Sequence, residues 1–378
     1  MPLIVLHVGA YKTGTSFIQH TLASNREALA ADGVLYPGQG RGSHFSAVRD
    51  LTRSSGSPGS RSTSWSELVR ECTTWPGHLA VLSAENMSLL RDSAMGRLLH
   101  GLDGHHVRVV YGARDIVRAV PSQWQSFIRN SDGNAPTFGE YLDAVMSSDG
   151  SNAARSFWQT HDWPAVLLAW ASYLDRSDLT LLPVPPSGSA ESSLWLRFGD
   201  AVGLDAGRYP LAQMRNSSLG AESAELVRRV SQAMAARSSG ADRIARNRVL
   251  RAFSRRVLAQ RRAEEQRVVF PPEAGGWAMR RTEELRAQVE AVGAQVQGSL
   301  DDLTPRIPGS VPDGATTRPD SLPDIDILDA ALAGLTRWGR RGRAESIRAS
   351  SADASDQLSR AVEEIVDVLD TRAARLAG

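Results

Sequence analysis

Leu3-Ile4-Val5-Leu6-His7-Val8-Gly9-Ala10-Tyr11-Lys12-Thr13-Gly14-Thr15-Ser16-Phe17-Ile18 reads as a strand, a turn and the start of a helix. The unbroken apolar run from Leu3 to Val8 suits a strand buried on both faces, as in a parallel sheet. Gly9 and Gly14 punctuate the turn. Phe17, Ile18, Leu22 and Leu29 then recur at helical spacing. A glycine-rich loop in this position turns backbone N–H groups and the positive end of a helix dipole toward an anion.

Outward from this unit the same grammar repeats. Val34-Leu35-Tyr36-Pro37, Leu79 to Ser83, Val107 to Tyr111 and Leu179 to Val184 read as further strands, most of them followed by a helical pattern. Alternation of this kind predicts a parallel sheet with helices on its faces. The Gly/Ser-rich stretch 38–64 reads as an excursion broken by a helix over Phe45 to Leu51. Helices are expected over 163–173, 221–262 and 279–300, then a Pro/Gly/Asp linker from Thr304 to Asp326 and a helical tail. The expected division is a catalytic domain over 1–303, a linker over 304–326 and a tail over 327–378. The tail's apolar positions Leu358, Val362, Ile365, Val366 and Leu369 form a stripe that either docks on the core or pairs with a second chain as a homodimer.

Composition narrows the classes. A chain of 378 residues with 42% hydrophobic and 22% charged residues is an ordinary globular protein. The net charge of +1 gives no global case for nucleic acid, so an anion site would be local. The single cysteine, Cys72, excludes an internal disulfide and a cysteine-rich zinc site. No basic leader precedes Leu3 and no apolar run reaches the length of a membrane span, so a cytoplasmic protein without a membrane partner is expected. Of 43 basic residues, only Lys12 is a lysine. A site that keeps the sole lysine is a candidate for one that needs a compact ammonium in place of a planar guanidinium.

The loop around Lys12 departs from the nucleoside triphosphatase pattern, which places lysine and then a hydroxyl residue directly after its second glycine. Here the lysine stands in front of Gly14, and Thr15 and Ser16 follow it. A metal-assisted triphosphate reaction needs its lysine over the terminal phosphates. A loop that binds a phosphate for other chemistry fits these residues better; a glycine-rich turn without a ligand is the plain alternative.

His7-Val8-Gly9-Ala10-Tyr11-Lys12-Thr13-Gly14-Thr15-Ser16-Phe17 resembles the 5′-phosphosulfate loop of sulfotransferases that use 3′-phosphoadenosine 5′-phosphosulfate (PAPS), in particular a bacterial group whose loop reads Lys-Thr-Gly-Thr. The resemblance implies an α/β fold of the P-loop NTPase type, a three-layer α/β/α sandwich with a central parallel sheet and a helical C-terminal extension. It implies that Lys12 contacts the oxygen bridging phosphate and sulfate, and that Thr13, Gly14, Thr15 and Ser16 hold the 5′-phosphate. Phe17 stands where relatives stack an aromatic ring on adenine; helix core is its other reading. Arg114, at the end of the fourth strand, and Ser122, eight residues later, match the family's 3′-phosphate pair. An Arg114-Asp115 helix cap with a surface ion pair is the ordinary alternative. PAPS is the implied donor, without a metal, and the acceptor is a hydroxyl or amine of a small molecule or glycan.

Two residues compete for the base. His44 follows the second strand, and a histidine suits proton removal near neutral pH. Glu85 ends the third strand, in a Ser-x-Glu that the bacterial group shares. A pair in which Glu85 orients His44 is the third arrangement. The Arg-Lys-Gly signature of animal cytosolic sulfotransferases is missing. The arginine-rich segment from Arg243 to Arg267 lacks interleaved aromatics and reads as a solvated helix face, or as a landing surface for an anionic acceptor. The rival functions are a small-molecule kinase using ATP and magnesium, and a non-catalytic nucleotide-binding relative.

Overall fold

The computed structural model describes every residue except 41, 53–64, 132, 134, 214–217, 238–242 and 378. The last part of the Gly/Ser-rich excursion therefore lies outside the described residues. The strands are β1 (Leu3–His7), β2 (Val34–Leu35), β3 (Leu79–Ser83), β4 (Val107–Ala113), β5 (Leu179–Pro183), β6 (Arg267–Val268), β7 (Gln295–Val296) and β8 (Ala315–Thr316). Six of them form one parallel sheet in the order β2-β3-β1-β4-β5-β7, and β6 pairs with β8 in a parallel pair.

The chain divides into two compact units. The first comprises 1–119, 158–214 and 276–305 and holds the large sheet. Its register sets Val5 beside Val81 and His7 beside Ser83, so these side chains share one face. There Val5, Val81, Val110 and Leu182 pack with Ile18 and Leu22 of α1 (Thr15–Ser24), Leu29 of α2 (Arg26–Ala31), and Trp195 and Phe198 further along. The alternate residues Ile4, Leu6, Val109 and Tyr111 are also buried, which is why these strands read as continuous apolar runs. The Tyr111 hydroxyl donates to the Thr160 carbonyl at 2.6 Å on that second face. Helices thus flank the sheet, and the expected α/β class with a central parallel sheet is what the chain forms.

Between strands the first unit adds α3 (Ser43–Thr52), α4 (Trp65–Thr73) and α5 (Asp92–His100). The helix α6 (Ile116–Phe127) begins in the first unit and continues into the second. The second unit comprises 120–157, 215–275 and 306–378. It contains α7 (Phe138–Ser147) and the start of α8 (Asn152–His161), after which α9 (Trp163–Ala171) and α10 (Ser193–Val202) return to the first. α11 (Ala221–Ala236) and α12 (Arg243–Arg256) belong to the second unit, α13 (Gly275–Val292) almost wholly to the first. α14 (Asp324–Arg337), α15 (Arg341–Arg348) and α16 (Ala354–Ala377) complete the second.

One passage between the units, at 305–306, falls within the expected linker over 304–326, but further passages divide 1–303 itself between the two units. Residues after 305 are an integral layer of the second unit, with α16 packed on α12 and α14. Trp338 packs on Phe253 at 4.7 Å between ring centroids, and the Arg372 guanidinium lies 4.1 Å over Trp338. Leu358, Val366 and Leu369 are buried within this one chain, so the tail's apolar stripe docks, as one of its two readings required. No helix among the described residues is long and apolar enough to cross a membrane.

Candidate active site

The loop of residues 9–16 leaves the carboxyl end of β1, with β3 and β4 on either side of it in the sheet. Positions beyond the carboxyl ends of parallel strands are where open α/β sheets take their ligands. Backbone torsions make the loop turn back on itself. Gly9 and Gly14 have φ of 113° and 86°, and Lys12, with a side chain, has φ of 65°. A left-handed residue of this kind costs about 1–2 kcal/mol, and loops that accept the cost do so to aim backbone N–H groups. At Gly14 a Cβ would also meet Leu194 Cδ2 at 2.3 Å. α1 then starts on Gly14 without a capping side chain, so its first-turn N–H groups face the loop unclaimed by a side chain.

Three strands lock the loop in place. Ala10 N–H donates to the Gly112 carbonyl at 2.8 Å, and a Cβ on Gly112 would come within 2.9 Å of both the Gly9 carbonyl oxygen and Thr13 Oγ1. On the other side, a Cβ on Gly9 would approach the Glu85 carbonyl oxygen to 3.0 Å. Inside the loop, the hydroxyls of buried Thr13 and Thr15 both donate to the Ala10 carbonyl, at 2.7 and 3.2 Å. Their protons are spent on holding the loop's shape. Ser16 is exposed at the start of α1. Phe17 is half-buried and packs against the core cluster of the first unit, which matches its helix-core reading.

Arg114 stands at the end of β4, and its Nη1 donates to the Lys12 carbonyl at 2.9 Å. Burial, aided by the nearby Arg118 charge and opposed by Asp115, pushes its guanidinium down to about 10. At neutral pH it keeps its charge, and the desolvated charge sits against the loop. Asp115 pairs with Arg118, one turn on, and accepts the Arg118 backbone N–H at 2.9 Å, so it serves as a helix cap. Ser122 lies half-buried on α6, in the second unit.

Glu85 follows β3 and is half-buried. Gln19, one turn into α1, donates to Glu85 Oε2 at 3.2 Å, to the Ser83 carbonyl at 3.0 Å and to Ser83 Oγ at 3.3 Å. His7 Nδ1 meets the same Ser83 hydroxyl at 2.8 Å. Burial pushes His7 down to about 4, so its ring is neutral at physiological pH. Burial raises the Tyr11 hydroxyl, with the Glu85 charge adding to it, and burial also raises Tyr36, opposed by the Arg26 charge and aided by Glu85. Gln19 did not emerge from the sequence, because its link to Glu85 joins distant segments with no local pattern to announce it.

His44 takes a different place from the one expected of a base. Its side chain is buried, the Ser83 N–H donates to its Nδ1 at 3.0 Å, and its Nε2 donates to the Pro37 carbonyl at 2.8 Å. Both ring nitrogens are therefore committed to backbone, and burial lowers its proton affinity further. No hydrogen bond joins His44 to Glu85 among the described residues, so the paired arrangement does not form. Tyr36 packs edge-on against the His44 ring at 4.7 Å. This is a histidine that ties the segment after β2 to the end of β3.

Comparisons with family models, with characterised proteins and with solved structures returned no match. The loop, its carboxylate and its arginine carry the functional reading alone. No group of three or more metal-ligating side chains occurs among the described residues.

Proposed function

We propose that this chain is a sulfotransferase that moves the sulfuryl group of PAPS onto a hydroxyl or amine of a small molecule or glycan, within a fold of the P-loop NTPase type. The observation that carries the reading is the construction of the loop. It is pinned to Gly112 and Arg114 on one side and closed by Glu85 on the other, and it presents backbone donors and a single lysine placed before the helix rather than in it. Lys12 lies within the loop and Glu85 follows the neighbouring strand beside Gly9, and an ammonium and a carboxylate are the groups that sulfuryl transfer needs.

In this mechanism the acceptor oxygen or nitrogen attacks sulfur while Glu85 takes its proton. The bond from sulfur to the bridging oxygen breaks, and the electron pair stays on that oxygen, now a terminal phosphate oxygen of adenosine 3′,5′-bisphosphate. Lys12 stabilises the charge that grows there. Gln19 holds the Glu85 carboxylate, and Glu85 later returns its proton to water. The commitment of both His44 nitrogens favours Glu85 for this role, and with His44 left to structure the catalytic pair is Lys12 and Glu85. Arg114 supports the loop through Lys12, and its 3′-phosphate role is part of the proposal.

Calorimetric titration without added metal tests the donor class. Adenosine 3′,5′-bisphosphate is expected to bind, and to bind more tightly than adenosine 5′-phosphate. Tight binding of ATP that depends on magnesium, with no binding of the bisphosphate, would instead mark a kinase.

A further inference from the structure

The arginine-rich segment is only partly the solvated helix face that its sequence suggests. Arg246 pairs with Asp370, and Arg261 pairs with Glu264 and Glu265. Arg248, Arg251 and Arg255 lie at i, i+3 and i+7 on α12, which puts them on one face. Among the described residues none of these three has a carboxylate partner. Arg251 is half-buried, and its Nη1 donates to Asn130 Oδ1 at 3.0 Å, which sets this face of α12 against the turn that follows α6.

The residue before Asn130 is Arg129, and only 4% of it is exposed. Its Nη2 reaches the Ser126 hydroxyl at 3.3 Å, and its Nη1 is buried with no hydrogen-bond partner among the described residues. Burial first, then the charges of Arg255 and Arg251, push it down to about 10, and among the described residues no acid acts against them. It remains charged at neutral pH. A buried guanidinium without a carboxylate among the described residues, next to the Asn130 that Arg251 bonds, is unfavourable unless something negative joins it. All of these residues belong to the second unit.

We propose that the second unit carries an oxyanion site formed by Arg129, Arg251 and Arg255, with Arg248 at its rim, which takes a tetrahedral dianion: a phosphate or sulfate, free or as a monoester. Arginine forks match such oxygens two at a time, and the unpartnered Arg129 Nη1 supplies a donor already desolvated. The site belongs to the second unit and the loop to the first, and the site does not depend on the function proposed for the loop. An extended nucleic acid is disfavoured by the lack of aromatic side chains along this face of α12.

The test compares the full-length protein with Arg251→Gln/Arg255→Gln and with Arg129→Met, by thermal unfolding in sulfate, phosphate, phenyl sulfate and phenyl phosphate against chloride at matched ionic strength. The loop is intact in all three proteins, so a difference between them reads the second unit. The wild type is expected to be stabilised by the dianions beyond chloride, and the double variant to need at least about tenfold more anion for the same shift, as for a lost charge-assisted contact. Arg129→Met should lose the dianion effect while being at least as stable as wild type in chloride. Stronger effects of the phenyl esters than of the free anions would assign the site to an ester, and the reverse to a free anion. Identical responses of wild type and double variant overturn the proposal. So does an Arg129→Met protein destabilised equally in chloride and sulfate, which would mark a packing role; should that variant fail to fold, the double variant decides alone.

Discussion

The Arg114 guanidinium donates to the backbone carbonyl of Lys12 at 2.9 Å, so the end of β4 holds the residue in the middle of the loop that carries the proposed chemistry. That bond gives Arg114 two separable roles, support of the loop and contact with a 3′-phosphate. A hydrogen bond from a charged donor is worth about 1.5–3 kcal/mol. Arg114→Ala should therefore weaken adenosine 3′,5′-bisphosphate by roughly 10- to 150-fold in calorimetry. Equal weakening of adenosine 5′-phosphate would assign the loss to the loop, and loss confined to the bisphosphate would assign it to the 3′-phosphate.

Gly112→Ala tests the loop's closeness to β4. The new Cβ would stand 2.9 Å from the Gly9 carbonyl oxygen and from Thr13 Oγ1, both parts of the loop's frame. Nucleotide affinity should fall by at least about tenfold, while far-ultraviolet circular dichroism stays that of the wild type, because one overpacked contact typically costs about 1–3 kcal/mol. Unchanged affinity would show that the loop tolerates a shift and is not pinned as described.

Glu85→Gln and His44→Gln separate the two candidates for the base. Glu85→Gln keeps the size of the side chain and removes its basicity, so turnover should drop by about 10²–10⁴ with little change in nucleotide affinity. His44→Gln should instead be read in stability. Each buried backbone partner left unmade, at Ser83 N–H or the Pro37 carbonyl, costs about 1–3 kcal/mol. Its folded fraction should retain turnover. An active Glu85→Gln enzyme beside a stable, inactive His44→Gln enzyme would reverse the assignment.

Acid should destabilise the first unit through its buried histidines. His7 sits at about 4 in the fold against an ordinary 6.5, His161 at about 3, and His44 is lowered as well, all chiefly by burial. Between those folded values and 6.5 the unfolded chain binds more protons than the folded one, so stability is full above pH 6.5 and falls as pH drops. For His7 alone the loss by pH 4 is about 3 kcal/mol, at about 1.4 kcal/mol per unit. Denaturant unfolding between pH 7 and 4.5 should show the fall, and His7→Asn should flatten it in part. Stability unchanged across that range would contradict the neutral, buried state of these rings.

Much of the sheet was legible because its strands are buried on both faces. Leu79–Ser83 coincides with its predicted run, and β1, β4 and β5 begin where their apolar stretches begin. β7 was not legible: Gln295–Val296 is two exposed residues that pair at the edge through backbone alone, with no apolar period to show it. Nor was the division into units, since the second is assembled from three separated segments and the helices of the tail look alike whether they dock or dimerise. In the site, Lys12 and its loop were readable because a turn between strand and helix is local. Gln19 reaches Glu85 across 66 positions of sequence, and His44 looks like a base until its two ring nitrogens are found bonded to Pro37 and Ser83. Residue type shows what a side chain can do; only the fold shows whether its lone pair is already taken.

Lys12 is proposed to act on a leaving phosphate oxygen during sulfuryl transfer, and a label-transfer assay tests that role. PAPS labelled in its sulfur is incubated with cell extract and either the wild-type protein or Lys12→Arg, and label in acceptor is followed over time. Arginine keeps the charge but replaces a point ammonium with a planar fork, in a residue held at φ of 65° between two glycines. The wild type should transfer label. Lys12→Arg should do so at least about 10²-fold more slowly, the scale of one well-placed electrostatic contact, with much smaller change in affinity for adenosine 3′,5′-bisphosphate. Absence of transfer by the wild type, or near-normal transfer by Lys12→Arg, would contradict the account.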